Sequence, residues 1–181
     1  MGYLIRIEKQ NIKFSSAHFT LFTDGREALH GHNYVAAVEA EADQLQGGFL
    51  IDFSVLKTTL KSICSALDEK VLLPENPRIV YRLENHVLRF QVDEADEYAM
   101  PAEETVRLPL ENITCESLAG YVHHLLCERR EQWDPEKRVR RLRIWIEETP
   151  GQRGGYEDAL EWLGLNHENA KDKENHEKGK R

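Results

Sequence analysis

Two short stretches, Phe14-Ser15-Ser16-Ala17-His18 and His30-Gly31-His32-Asn33-Tyr34, decide how this chain is read. Upstream of the first, Tyr3, Ile5 and Ile7 alternate with polar residues, and after a register break Ile12 and Phe14 continue the pattern. That alternation predicts a half-buried strand over Tyr3–Ser16 with a bulge near Gln10. Downstream of the second, Tyr34, Ala36, Val38, Ala40 and Ala42 share one face of another strand, and antiparallel pairing is the simplest arrangement for the two. The two-residue step from His30 to His32 puts both imidazoles on one side of an extended chain. If the strands pair, His18 converges with them at the same end of the hairpin. Three neutral imidazoles with a fourth position open form the ligand set of catalytic zinc, whereas a solitary H-x-H is better explained as a polar turn. An open position lets the metal lower the pKa of a substrate hydroxyl and withdraw electrons from neighbouring carbons.

Working outward, Gly47-Gly48 signals a turn, and Phe49-Leu50-Ile51 leads into Asp52, a residue suited to cap a helix because its carboxylate accepts backbone N–H groups. Phe53, Leu56, Leu60, Ile63, Cys64 and Leu67 then recur at three- and four-residue steps, predicting a helix that closes before Pro74 and Pro77. The period returns to two at Ile79, Tyr81 and Leu83, and again over Val87–Val92, with a turn at Glu84-Asn85; this reads as an extra hairpin inside an insertion spanning about residues 75–112. Asp93 to Glu97 is expected as an acidic loop and Thr105–Leu110 as a short strand. Thr114 is placed to cap a second helix with Leu118, Tyr121, Val122, Leu125 and Leu126 on one face. Leu142, Ile144 and Ile146 alternate along a final strand that runs into Glu148. The expectation is therefore a single α+β domain over residues 1–165. The stretch 166–181 is too polar to bury and is expected to be a disordered charged tail.

The 181 residues carry 24 Lys plus Arg against 32 Asp plus Glu, a net charge of −8 that argues against an electrostatic grip on nucleic acid or an anionic membrane. Cys64, Cys115 and Cys127 are odd in number and far apart, so no disulfide is expected and a cytoplasmic setting is. The chain begins with no cationic-then-apolar leader and contains no run of 18 apolar residues, which removes secretion and membrane spanning as leading ideas. Lys137, Arg138, Arg140, Arg141 and Arg143 form a local basic run, read as a solvated strand face or a salt-bridged subunit edge. Of the other histidines, His86 falls in the hairpin turn, His123 and His124 are expected on a helix surface, and His167 and His176 lie in the tail.

The order and spacing of Phe14–His18, Leu29-His30-Gly31-His32-Asn33-Tyr34, Gly48–Ile51 with Asp52-Phe53 and Leu56-Lys57, and Glu148-Thr149 resemble the 6-pyruvoyl-tetrahydropterin synthase and 6-carboxytetrahydropterin synthase family. The likeness covers about residues 4–156 apart from the insertion. It implies a tunnelling fold, an antiparallel sheet with two helices on one face, whose subunits join edge to edge into a barrel as trimers or hexamers. It implies that His18, His30 and His32 bind zinc over the C6 side chain of a dihydropterin, and that Glu148 anchors the pterin ring by accepting two hydrogen bonds. Thr114-Cys115-Glu116-Ser117-Leu118-Ala119 corresponds to the family's Thr-x-Glu-Asn-Leu-Ala helix start, with Ser117 in place of Asn, so Thr114, Cys115 and Glu116 are expected to line the same pocket.

Two positions depart from the usual pattern. Where the family carries a proton-abstracting cysteine, four residues before the H-G-H segment, this chain has Arg26; Glu27 matches instead a variant branch in which glutamate replaces the cysteine. That branch takes dihydroneopterin or its triphosphate and yields 6-hydroxymethyl-7,8-dihydropterin. A carboxylate beside a side-chain hydroxyl held at the metal can remove its proton, after which the carbon–carbon bond breaks in a retro-aldol step. Leu67-Asp68-Glu69-Lys70 stands where relatives have Leu-Asp-His, leaving Asp68 and Glu69 as candidate acid/base groups. Three readings follow: a zinc-dependent lyase with Glu27 as base, a 6-carboxytetrahydropterin synthase of deazapurine synthesis, and a pterin-binding scaffold without catalysis.

Overall fold

The structure, a computed structural model, describes residues 2–93 and 97–160. The expected tail at 166–181, and the middle of the expected acidic loop, lie outside the described residues.

The chain opens with β1 (Tyr3–His18), then a small hairpin of β2 (Leu21–Phe22) and β3 (Gly25–Arg26), then β4 (His30–Ala42). β1 and β4 pair antiparallel from Tyr3↔Ala42 to His18↔His30, with the register shift falling between Glu8 and Lys13, where the sequence pattern breaks. Helix α1 (Phe53–Leu67) starts on Asp52, whose side chain accepts from the Ser54 N–H at 2.6 Å. Strand β5 (Lys70–Pro74) follows, and β6 (Ile79–Glu84), β7 (Val87–Val92) and β8 (Glu97–Pro101) form a separate antiparallel sheet. After β9 (Thr105–Leu108) come α2 (Cys115–Glu128), the short α3 (Arg130–Trp133), β10 (Val139–Thr149) and β11 (Gln152–Ala159).

The main sheet has the order β11-β10-β4-β1-β5-β9. One apolar core joins the inner face of β1, β4 and β10, through Phe14, Tyr34, Val38 and Ile144, to Leu56, Leu60 and Ile63 of α1 and Leu118, Val122 and Leu126 of α2. Both long helices therefore cover the same face, as expected. The sheet is mixed, which corrects the expectation of a wholly antiparallel one. α1 returns the chain to the His18 end of β1, and only Asp68 and Glu69 intervene before β5. The chain thus continues in the direction of β1, pairing parallel at Ser16↔Lys70 and Ala17↔Val71, and β9 pairs parallel to β5.

Five strands escaped the sequence pattern, β2 and β3 because two residues are too few to show a period. β5 is a short buried run ending on Pro74, indistinguishable from a helix terminator. β8 begins at Glu97, inside the stretch expected to be an acidic loop. β11 buries only Gly154 among its eight residues, so it shows no apolar alternation. A Cβ on Gly154 would lie 2.7 Å from the Glu116 backbone nitrogen and 2.8 Å from the Cys115 Cβ, so glycine lets β11 lie against the start of α2.

The basic run on β10 is satisfied within the chain. Arg143 pairs with Glu39 and Glu157, Arg141 with Glu157, and Arg140 with Asp43 at 3.3 Å. No helix among the described residues is long and apolar enough to cross a membrane. Cys64, Cys115 and Cys127 are all free thiols.

Candidate metal centre and active site

The last rungs of the β1–β4 ladder build the histidine cluster. His18 pairs with His30 and Ser16 with His32, so period-two alternation sends all three imidazoles to one face of the sheet. Ring centroids lie 4.6 Å apart for His18–His30, 5.4 Å for His18–His32 and 4.8 Å for His30–His32. One nitrogen from each can be chosen so that all three lie within 4.8 Å of one another. Backbone carbonyls fix two of the rings: His18 Nδ1 lies 2.9 Å from the Ile113 oxygen and His30 Nδ1 2.8 Å from that of Ala28. A carbonyl accepts only from a protonated nitrogen, so in each ring Nε2 carries the free lone pair. His18 Nε2 is buried and has no hydrogen-bond partner. Burial also holds the His18 pKa below its ordinary value, against a smaller upward push from the Ile113 carbonyl, so the neutral ligand form prevails. A buried orphan nitrogen beside two further imidazoles fits a metal of zinc's preferences.

Tyr34 marks the direction in which the site continues. It is stacked on Phe14 at 4.8 Å, its ring lies 5.6 Å from His32 and 5.9 Å from His18, and its buried hydroxyl has no partner. Burial raises its pKa far above the ordinary phenol value, and Cys115, Glu148 and Glu27 add to the rise. These three groups therefore lie within electrostatic reach of the tyrosine that adjoins the histidines. Cys115, in the first turn of α2, directs its thiol to Glu148 Oε2 at 3.6 Å; burial first and Glu148 second push that thiol up to about 12. Thr114 caps α2, its Oγ1 accepting from the Ser117 N–H at 3.2 Å, while the Glu116 side chain is exposed. Glu148, Thr114, Cys115 and Glu116 thus gather where β10 meets the start of α2.

Glu27 follows the β2–β3 hairpin and donates its N–H to the Thr20 carbonyl at 2.9 Å. A hydrogen bond from the Thr20 side chain is the largest influence on its carboxyl, holding the pKa below the ordinary carboxylate value; desolvation opposes it and His30 adds to it. A raised pKa from partial burial does not develop. Nor does Arg26 pair with this carboxylate: its guanidinium donates to the Glu27 carbonyl at 2.9 Å and lies over the rings of Phe19 and Tyr98. Thr20 and Asn112, which bonds the Leu21 N–H and C=O at 3.0 and 2.9 Å, were not singled out in the sequence, because neither belongs to a periodic pattern.

Asp68 and Glu69 serve the backbone. The Asp68 carboxylate accepts the Ser15 N–H at 2.7 Å, and Glu69, at φ 56°, gives its N–H to the Ser15 carbonyl at 2.8 Å. Glu69 borders a shallow groove with Ser15, Gly31, His32 and Asn33. His86 sits exposed in the β6–β7 turn, as expected. His123 does not: it is 5% exposed, packed edge-on against Tyr156 at 4.9 Å, because β11 covers that side of α2. His124 is on the surface, 3.3 Å from Glu128.

Comparison with known proteins identifies the family. Residues 6–159 match the family described as 6-pyruvoyl tetrahydropterin synthase. Two curated relatives are both named "Putative 6-carboxy-5,6,7,8-tetrahydropterin synthase". The one from Methanocaldococcus jannaschii is 31% identical over 152 residues, covering 83% of this chain and 92% of that protein. The one from Pyrococcus abyssi is 29% identical over 140 residues, covering 76% and 81%. Among solved structures, 6-pyruvoyl tetrahydropterin synthase from Plasmodium vivax superimposes with a TM-score of 0.82 at 26% identity, over 88% of this chain and 99% of that one. A variant of the vivax enzyme described as a catalytic-residue mutant, with alanine in place of a glutamate, matches with the same TM-score of 0.82 at 25% identity. This chain belongs to the 6-pyruvoyl tetrahydropterin synthase family, lyases of pterin metabolism.

Proposed function

We propose that the protein is a zinc-dependent lyase acting on the C6 side chain of 7,8-dihydroneopterin or its triphosphate and releasing 6-hydroxymethyl-7,8-dihydropterin, with Glu27 as the base. The observation that carries this reading is a carboxylate, Glu27, that follows the β2–β3 hairpin within electrostatic reach of His30 and His18, in a chain with no cysteine between His18 and His30. A catalytic glutamate is also what the vivax variant's description names for that enzyme.

His18, His30 and His32 would hold the metal, which supplies Lewis acidity that lowers the pKa of a hydroxyl and draws electrons from the adjoining carbon. Glu148 accepts hydrogen bonds from the 2-amino and ring N–H groups of the pterin and so fixes which end of the substrate faces the histidines. Because its pKa is depressed, Glu27 is ionised at neutral pH and free to accept a proton. It takes the proton of the hydroxyl on the second side-chain carbon; the electron pair left on that oxygen forms the carbonyl of a departing hydroxyaldehyde (or its phosphate ester) as the bond between the first and second side-chain carbons breaks. A proton returned to the carbon left on the pterin gives the hydroxymethyl product. Thr20 steadies the carboxylate and trades some basicity for a fixed position.

The second reading, 6-carboxytetrahydropterin synthase activity, is favoured by the names of the two archaeal relatives. The lack of a cysteine before His30 and of an imidazole after Asp68, where Glu69 stands, counts against it. A homo-oligomer, trimer or hexamer, belongs to the proposal too: the sheet ends on β11 and β9, and exposed edges of this kind invite edge-to-edge pairing. A cytoplasmic setting suits the three free thiols. The test is incubation of zinc-loaded protein with 7,8-dihydroneopterin and with its triphosphate, products being identified by mass. A hydroxymethylpterin supports the lyase, a carboxypterin the second reading, and pterin binding without turnover a scaffold.

A further inference from the structure

The insertion does more than lengthen the chain. Its β6–β7–β8 sheet shares an apolar cluster with the segment that carries Glu27: Ile79, Leu88, Phe90 and Val92 pack with Phe19 and Leu21, and Leu29 borders them. At one edge, Arg78 grips Asp93 through two parallel hydrogen bonds, Nε to Oδ1 at 2.9 Å and Nη2 to Oδ2 at 2.6 Å. The same guanidinium reaches out of the insertion to the β2–β3 hairpin. Nη1 donates to the Phe22 carbonyl at 2.6 Å and Nη2 to the Gly25 carbonyl at 3.2 Å, the two residues that face each other across its turn. A second hold lies on the other side, where the Arg26 guanidinium sits 5.2 Å over the Tyr98 ring of β8. From this braced turn the chain passes through Arg26 directly to Glu27.

We propose that the appended sheet is a positioning device for Glu27, with Arg78, oriented by Asp93, as the positioning residue that clamps the β2–β3 hairpin. This rests on the reading of Glu27 as the base. A two-residue ladder has too few hydrogen bonds to hold its own shape, so a hairpin of this size takes its precision from what it is tied to. The planar guanidinium is suited to the task because its fork satisfies a carboxylate and two carbonyls at once, which an ammonium cannot do.

The experiment compares Arg78→Gln and Arg78→Lys with the unaltered protein, all zinc-loaded, by steady-state kinetics on 7,8-dihydroneopterin and by amide hydrogen exchange. Arg78→Gln is expected to lower kcat by about 10- to 100-fold, the scale of a displaced catalytic group, with KM within about twofold. Zinc content stays the same, and the Glu27 amide exchanges about 10-fold faster while amides of β4 such as Val38 keep their protection. Arg78→Lys recovers part of kcat. Unchanged turnover in Arg78→Gln, or an unchanged Glu27 amide, overturns the proposal; equal loosening of β4 also overturns it, since Arg78 would then be holding the whole fold. If the unaltered protein turns over no dihydroneopterin, the proposed function falls, and the exchange comparison still decides whether Arg78 clamps the hairpin.

Discussion

The two halves of the proposed catalytic centre are built from different kinds of backbone. The metal half stands on the final rungs of a long two-strand ladder, where His18 faces His30 and the neighbouring rung places His32, with backbone carbonyls orienting two of the rings. The proposed proton-transfer half stands on Glu27, at the end of a hairpin with two residues in each strand, held by the adjoining Thr20 and, from outside, by Asn112 and Arg78. A long ladder fixes geometry through its own hydrogen bonds. A short hairpin borrows its geometry from side chains elsewhere, and that makes it the part of the site most open to change in chemistry without change in metal binding.

This contrast can be broken at the metal half first. His32→Ala removes one of three imidazoles and is expected to weaken zinc binding by more than about 100-fold, beyond what loss of an outer-sphere partner costs, with turnover lost alongside; titration with a competing chelator measures it. Next comes Glu27→Gln, which keeps the shape and deletes the base. Its kcat should fall about 10²- to 10⁴-fold, the usual span for one general base, with zinc affinity unchanged. A third arm tests Glu148 as the proposed pterin anchor: Glu148→Gln would lose charge-assisted hydrogen bonds worth about 1.5–3 kcal/mol, so KM should rise by roughly 10- to 100-fold while kcat changes less. Gly154→Ala probes the contact of β11 with the α2 start and is expected to cost about 1–3 kcal/mol in denaturant unfolding, as overpacking does, because the new methyl meets Glu116 and Cys115.

The smallest effect is on stability as a function of pH. His18 and His123 both have pKa values lowered by burial from 6.5. The unfolded chain therefore binds protons that the folded metal-free chain refuses. Stability is full above about pH 6.5 and declines as pH falls below it. Replacing His123 with Gln should flatten part of that slope in metal-free protein while leaving the zinc stoichiometry intact.

How much of this was legible in sequence follows the same division. Strand alternation led directly to the His18–His30–His32 cluster, because period two and a bulge at the right place determine which side chains share a face. Asp52 and Thr114 were readable as caps for the same reason: the helix start has a local chemical signature. What could not be read are features set by distant contacts. β5 reads as the end of a helix because parallel pairing needs only a short buried run; β11 carries no strand signal because its one inward residue is a glycine. His123 looked like surface because the strand that covers it was not anticipated. Thr20 sets the pKa of Glu27 through a single hairpin rung, and Arg78 reaches the same hairpin from 53 residues beyond Gly25. Neither contact leaves a mark on the local pattern.

In the proposed site, metal binding and proton transfer reside in separable parts of one structure. The measurement that tests this separation most directly is zinc stoichiometry and product mass determined on the same preparations of unaltered protein and Glu27→Gln, each incubated with 7,8-dihydroneopterin. The account predicts about one zinc per chain in both, with 6-hydroxymethyl-7,8-dihydropterin formed by the unaltered protein alone. Undiminished product from Glu27→Gln, or loss of zinc together with loss of product in that variant, would contradict it.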